Sequence, residues 1–129
     1  MAESQRDMFV YNICIDFDGV LHSYTSPWAG ADRVLDPPVD GAIEWLRELI
    51  AAEKFRPMIY SSRSDQEGGV KAMKLWLMDN GLTLEELEQL EFPTTKPSPF
   101  LTIDDRAVCF EGEFPSLQAM SDFKPWNKR

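Results

Sequence analysis

The chain is poor in the side chains that most metal and redox chemistry uses. Its 129 residues include one histidine, His22, and two cysteines, Cys14 and Cys109. A zinc centre draws on clustered Cys and His, so it is hard to assemble from this set. The cysteines lie in separate apolar stretches without ligand-like spacing, and each reads as a small buried hydrophobe rather than half of a disulfide. Long apolar runs are also missing: none approaches the roughly 20 residues of a membrane span. The opening Met1 to Asp7 is polar and of mixed charge, unlike a secretory leader. A cytoplasmic protein without a membrane partner is expected. Positive charge is scarce too, with 13 Lys and Arg against 22 Asp and Glu and a net charge of −9. That balance argues against nucleic acid as a bulk partner, because phosphate backbones attract cationic surfaces. It is compatible with a bound metal cation that offsets part of the negative charge.

What is present fits one α/β domain spanning residues 1–129. Hydrophobic residues make up 43% and charged residues 27%, which is ordinary for a globular chain. No repeat, low-complexity tract or linker divides it. Ile13-Cys14-Ile15 is an apolar run that reads as a buried parallel strand. His22 to Asp36 reads as a loop or small hairpin, and Asp36-Pro37-Pro38 as the entry to a helix over Val39 to Lys54. A second short strand is expected from Phe55 to Tyr60. Gly68-Gly69 opens another helix, whose stripe of Val70, Met73, Trp76 and Leu77 reads as core, and Asn80-Gly81 closes it. Thr83 and Glu86 form a capping box for a short helix through Leu90. Brief strands are expected at Leu90 to Phe92 and Ala107 to Phe110, and a buried one at Phe100 to Ile103. Pro115-Ser116 starts a terminal helix, and Trp126 is a candidate anchor for the tail. Strands alternating with helices predict a central parallel sheet with its crevice at the strands' carboxyl ends.

Polar clusters stand at those ends. Asp16 and Asp18 flank one residue and precede Gly19; Ser61, Ser62 and Arg63 follow the second strand; Lys96 lies in a Thr- and Pro-rich loop; Asp104-Asp105-Arg106 follows the Phe100 to Ile103 run. Two carboxylates beside a hydrophobic sheet are costly unless a cation or a reaction needs them. A calcium loop is ruled out, because the twelfth position from Asp16 is Pro27 where a bidentate Glu is required. Singly, the remaining clusters have plain readings: Ser61 as a turn residue bonded to its own backbone, Lys96 as a solvated loop lysine, Asp104 to Arg106 as a surface turn. Together they make chemical sense. Carboxylates from adjacent strand ends can share one Mg²⁺, which prefers oxygen ligands. A hydroxyl, an ammonium and that cation would clamp a tetrahedral phosphoryl group. One carboxylate can attack phosphorus while the other transfers protons.

In their order, Asp16-Phe17-Asp18-Gly19-Val20-Leu21, Ile59-Tyr60-Ser61-Ser62-Arg63, Lys96 and Ile103-Asp104-Asp105-Arg106, these segments resemble the four motifs of the haloacid dehalogenase-like (HAD) superfamily. The resemblance runs from Ile13 to about Phe110. It implies a Rossmann-like three-layer α/β/α fold and a Mg²⁺-dependent phosphohydrolase acting through an aspartyl-phosphate. Carried over by position, Asp16 would be nucleophile and metal ligand. Asp18 would be general acid/base, with its backbone carbonyl also on the metal. Ser61 and Lys96 would hold the phosphoryl group, and Lys96 would offset the charge of Asp16. Asp104 would complete the metal site, with Asp105 a direct or water-mediated ligand. Arg63 and Arg106 are left with two roles, pairing with a carboxylate or touching substrate, and His22 and Ser62 are further candidates for substrate contact. Lys96 stands eight positions before Asp104, closer than in many members of the superfamily.

Neither interval between motifs has room for the cap domain of larger members. An open site implies a bulky or macromolecular substrate, or an oligomer whose neighbour covers the crevice. His22, Tyr24 and Trp28 are the local candidates for a partial lid, with loop packing as the alternative for Tyr24 and Trp28. Asp18 favours phosphate chemistry over dehalogenation. The competing readings are a polynucleotide-end phosphatase, a catalytically silent phosphate- or metal-binding protein of this fold, and a signalling receiver domain. The last has its adjacent acidic pair after the first strand and its phosphoacceptor Asp after a middle strand. Here the pair comes last and the middle position is Ser61, so the order is wrong.

Overall fold

A computed structural model describes residues 10–129. The expectation about Met1 to Asp7 lies outside them, apart from what the sequence itself says. Among the described residues the elements are β1 (Tyr11–Ile15), α1 (Ala42–Ala51), β2 (Phe55–Ile59), α2 (Gly69–Asp79), α3 (Leu84–Glu88), β3 (Leu101–Ile103), α4 (Leu117–Ser121) and a 3₁₀ turn (Trp126–Lys128). The three strands form an open parallel sheet in the order β2-β1-β3. With four helices, this is an α/β layout compatible with a Rossmann-like arrangement. Among these residues no helix is long and apolar enough to cross a membrane.

β1 lies in the middle because its last three residues, Ile13, Cys14 and Ile15, can be buried on both faces. β2 tolerates Pro57 for a geometric reason. Ile59 N–H points away from β1 to the Glu91 carbonyl, so the position two residues earlier faces the same way. There the sheet ends in the single Met58–Glu91 bridge, and a missing donor leaves no ladder bond broken. Leu90 to Phe92 contributes this one bridge instead of the expected strand, since Leu90 still closes the α3 turn through Leu87.

Helix α1 begins three residues later than its apolar pattern suggests. Pro38 bridges to His22 and Val39 N–H donates to the Leu21 carbonyl, so this stretch pins the loop after β1 and cannot enter the helix. Its buried positions, Ala42, Ile43, Leu46 and Leu49, repeat at helical spacing. They join Ile13, Ile15, Phe17, Leu21, Ile59, Met73, Trp76 and Leu77 in one core. Trp76 is a core residue as expected, and its indole N–H donates to the Asp36 carbonyl at 2.8 Å. The Thr83–Glu86 capping box is present, and Ser116 caps α4 through the Ala119 N–H.

The far side of β3 departs from expectation. Ala107 to Phe110 is not a strand and lies exposed, which leaves β3 as a sheet edge with Leu101 half exposed instead of buried. Cys109 is exposed with it, whereas Cys14 is buried as expected. Between Asp18 and Ser61 the chain holds a loop, α1 and β2, and between Ser61 and Lys96 it holds α2 and α3. Neither interval contains a further domain.

Candidate active site

β1 and β3 run side by side in the same direction, so their carboxyl ends open on one edge of the sheet. Ile15 pairs with Ile103, and Asp16 N–H continues the ladder to the Ile103 carbonyl at 2.9 Å. This register brings Asp16 level with Asp104. One carboxylate oxygen from each of Asp16, Asp104 and Asp105 lies within 4.8 Å of the others. Burial, the charge of Asp104 and the adjacent Asp105 carboxyl push Asp16 up to about 8, against the pull of a hydrogen bond from Phe17 N–H. A half-buried carboxyl set among other acidic groups resists ionising. All-oxygen donors at this spacing fit a hard divalent ion such as Mg²⁺.

Gly19 is what allows Asp105 so close. Its φ is +86°, and a Cβ there would fall onto the Asp105 carboxylate, within 2.8 Å of its Cγ. Both the left-handed backbone and the missing side chain are therefore required. Between the two aspartates, Phe17 turns into the core, edge-on to Trp76 at 5.1 Å. Its carbonyl collects the Leu21 and His22 N–H groups and folds the loop back under the strand end.

Asp18 faces different partners. Arg63 donates to it twice, Nε to Oδ2 at 2.9 Å and Nη2 to Oδ1 at 3.1 Å. His22 Nδ1 lies 2.8 Å from Oδ1. Asp36 N–H donates to His22 Nε2 at 3.0 Å, so Nε2 is the acceptor and Nδ1 carries the hydrogen offered to Asp18. Burial pushes Asp18 up, but the hydrogen bonds from His22 and Arg63 and the guanidinium charge outweigh it and hold the carboxyl below its ordinary value. Neighbouring aspartates thus sit in opposite electrostatic environments, the pattern that separates acid, base and nucleophile roles.

Arg63 and His22 are corrections to the idea of direct substrate contact, since each side chain is only 1% exposed. Arg63 takes the carboxylate-pairing role. Its Nη1 also donates to the carbonyls of Gly30, Ala31 and Arg33, which ties the loop after β1 to the loop after β2. Trp28 covers the guanidinium with its ring at 4.6 Å, so it packs the loop. Ser61 is buried, and its Oγ accepts from Arg63 N–H at 2.9 Å, the turn geometry. Among the described residues its own hydrogen has only the weak thioether of Met73 at 3.8 Å. Ser62 is exposed beside it. Lys96 is exposed on an irregular loop and takes part in no ion pair among the described residues; its charge is felt at Cys14. Arg106 is exposed, and its N–H donates to Asp104 Oδ1 at 2.8 Å, orienting that carboxylate.

Two contributors were not legible in advance. Gly69 is buried against the loop after β2, and a Cβ there would sit 2.7 Å from the Arg63 carbonyl carbon. Asp36 orients His22 through its backbone N–H, a role that leaves no side-chain signal. Comparison of the chain with protein-family models, with curated proteins and with solved structures finds no match.

Proposed function

We propose that the chain is a Mg²⁺-dependent phosphomonoesterase, a small capless member of the HAD-like superfamily with its Rossmann-like layout, acting through an aspartyl-phosphate. The observation that carries this reading is the convergence of Asp16, Asp104 and Asp105 at the ends of two adjacent parallel strands, with Asp18 held apart on Arg63 and His22. Asp16, Asp104 and Asp105 would hold the cation, together with the Asp18 carbonyl, which accepts no backbone hydrogen bond among the described residues. When bound, the cation supplies charge that lets Asp16 ionise and offsets the phosphoryl oxygens.

In this reading Asp16 attacks phosphorus. Asp18 gives a proton to the leaving oxygen and later takes one from the hydrolytic water. His22 and Arg63 hold Asp18 ionised in the resting protein. A phosphate dianion beside it raises its proton affinity by like-charge repulsion, which restores the acid form for the first step. The Ser61 hydroxyl, bonded only weakly to Met73, is free to turn to a phosphoryl oxygen. Lys96, exposed on its loop, would supply a cation to the same group.

The test is release of inorganic phosphate from a panel of sugar phosphates, nucleotides and an oligonucleotide bearing a terminal phosphate, with Mg²⁺ and with EDTA. Mg²⁺-dependent release, abolished by Asp16→Asn, is the expected result. Turnover that survives EDTA, or that persists in Asp16→Asn, would refute the mechanism. Metal binding without any release would leave a catalytically silent phosphate- or metal-binding protein.

A further inference from the structure

The carboxyl-terminal segment builds a second feature beside the candidate site, and it is cationic. Arg106, Lys124 and Arg129 border a cavity of about 780 Å³ whose apolar wall includes Val108, Met120 and Phe123. The chain carries 22 acidic and 13 basic residues, yet three of the bases lie on this one cavity. None of these three takes part in an ion pair among the described residues. Among the described residues that line it the acidic side chain is Asp122, which accepts a hydrogen bond from Gln118 Nε2 at 2.9 Å.

Both walls are fastened to the candidate site. Arg106 directly follows Asp105, and its N–H holds Asp104 Oδ1 at 2.8 Å. On the other wall, Arg129 Nε donates to the Lys124 carbonyl at 3.0 Å, closing the tail into a loop. Within that loop Trp126 Nε1 donates to the Gly19 carbonyl at 2.8 Å, and Gly19 is the residue that Asp105 packs against. One wall of the cavity therefore begins at the residue that follows Asp105, and the other belongs to the tail loop that Trp126 ties to Gly19. Its size is that of a site for a small organic molecule.

We infer that this cavity is a specificity subsite for phosphomonoesters whose remainder is an apolar or aromatic body carrying a second anionic group. The body would lie on Val108, Met120 and Phe123, and the distal anion would meet Lys124 and Arg129 through charge-assisted hydrogen bonds. The acidic triad alone would repel such a substrate unless charge of the opposite sign stood nearby. The inference rests on the phosphomonoesterase reading above and gives it a substrate class.

The test compares naphthyl phosphate with an analogue bearing a carboxylate on the distal ring. The native protein with Mg²⁺ is expected to favour the carboxylate-bearing ester by about tenfold in kcat/KM. The Lys124→Gln variant is expected to lose most of that preference while keeping its kcat/KM for naphthyl phosphate and its melting temperature. Equal kcat/KM for the two esters in the native protein, or a preference that survives in the variant, would overturn the subsite. If neither ester is hydrolysed, the enzymatic reading fails, and calorimetric titration with naphthalene dicarboxylate decides the cavity separately. Binding that the variant loses supports the subsite, and absence of binding to the native protein overturns it.

Discussion

Arg63 meets Asp18 through two parallel N–H···O bonds of 2.9 and 3.1 Å, while Asp16, two residues earlier, lies against the carboxyls of Asp104 and Asp105. The same substitution should therefore have opposite effects at the two positions. Asp16 in the folded, metal-free chain has a pKa of about 8, above the ordinary 3.8. The folded state binds the extra proton, so this group favours folding in acid and loses that contribution as pH rises from about 4 through 8. Asp16→Asn removes the charge and is expected to stabilise the metal-free protein at pH 8 by on the order of 1–2 kcal/mol. Asp18 is held below its ordinary value, so its contribution is present above the ordinary value and lost as pH falls. Asp18→Asn leaves a buried guanidinium without its carboxylate and is expected to cost about 3 kcal/mol. Urea unfolding of both variants at pH 5 and pH 8 checks the signs; equal shifts would refute the assigned environments.

Cation affinity should follow the same proton. Below about pH 8 a proton on Asp16 competes with Mg²⁺, so the apparent Kd is expected to rise by about tenfold per pH unit on acidification. Near pH 7, binding should release close to one proton. Calorimetry in two buffers of different ionisation enthalpy measures that number. Release of no proton would mean that Asp16 is already ionised or is not a ligand.

Gly69 supports the site at a distance from its chemistry. A methyl there collides with the Arg63 carbonyl, in the turn that Ser61 Oγ and Ser64 Oγ close. Gly69→Ala is expected to cost about 1–3 kcal/mol by overpacking and to lower kcat more than KM, because the displaced turn carries the guanidinium that holds Asp18. A variant with native stability and native kcat would show that the turn yields without moving Arg63.

The strand ends were readable because period and burial are properties of the local sequence. Ile13 to Ile15 reads as a buried parallel strand, and its end places Asp16 at the crevice. The capping box at Thr83, the core stripe of α2 and the Ser116 cap are local in the same way. What stayed hidden depends on tertiary pairing. The apolar character of Phe100 to Ile103 predicts burial, yet no strand from Ala107 to Phe110 flanks it and Leu101 is exposed. His22 looked like a substrate contact because it follows the Asp16–Asp18 motif. Its burial is fixed by the Asp36 N–H, fourteen residues away, and by the Phe17 and Trp76 rings beside it. The path of Arg63 to Asp18 spans forty-five residues and leaves no periodic trace.

The tail gives the last expectation. Trp126 Nε1 donates to the Gly19 carbonyl at 2.8 Å across 107 residues of chain, and Asn127 Nδ2 reaches the Ser23 carbonyl at 3.4 Å. Trp126 is half exposed, so its contribution to global stability is small, and losing one such bond costs about 1 kcal/mol. Its effect should fall on the loop, since Gly19 must keep a left-handed backbone for Asp105 to approach. Trp126→Phe keeps the ring and removes the donor. It is expected to lower the Mg²⁺ affinity severalfold with little change in melting temperature, because the loop that sets Asp105 beside Asp16 is freed to fluctuate. Unchanged Mg²⁺ binding would assign the indole to tail packing alone.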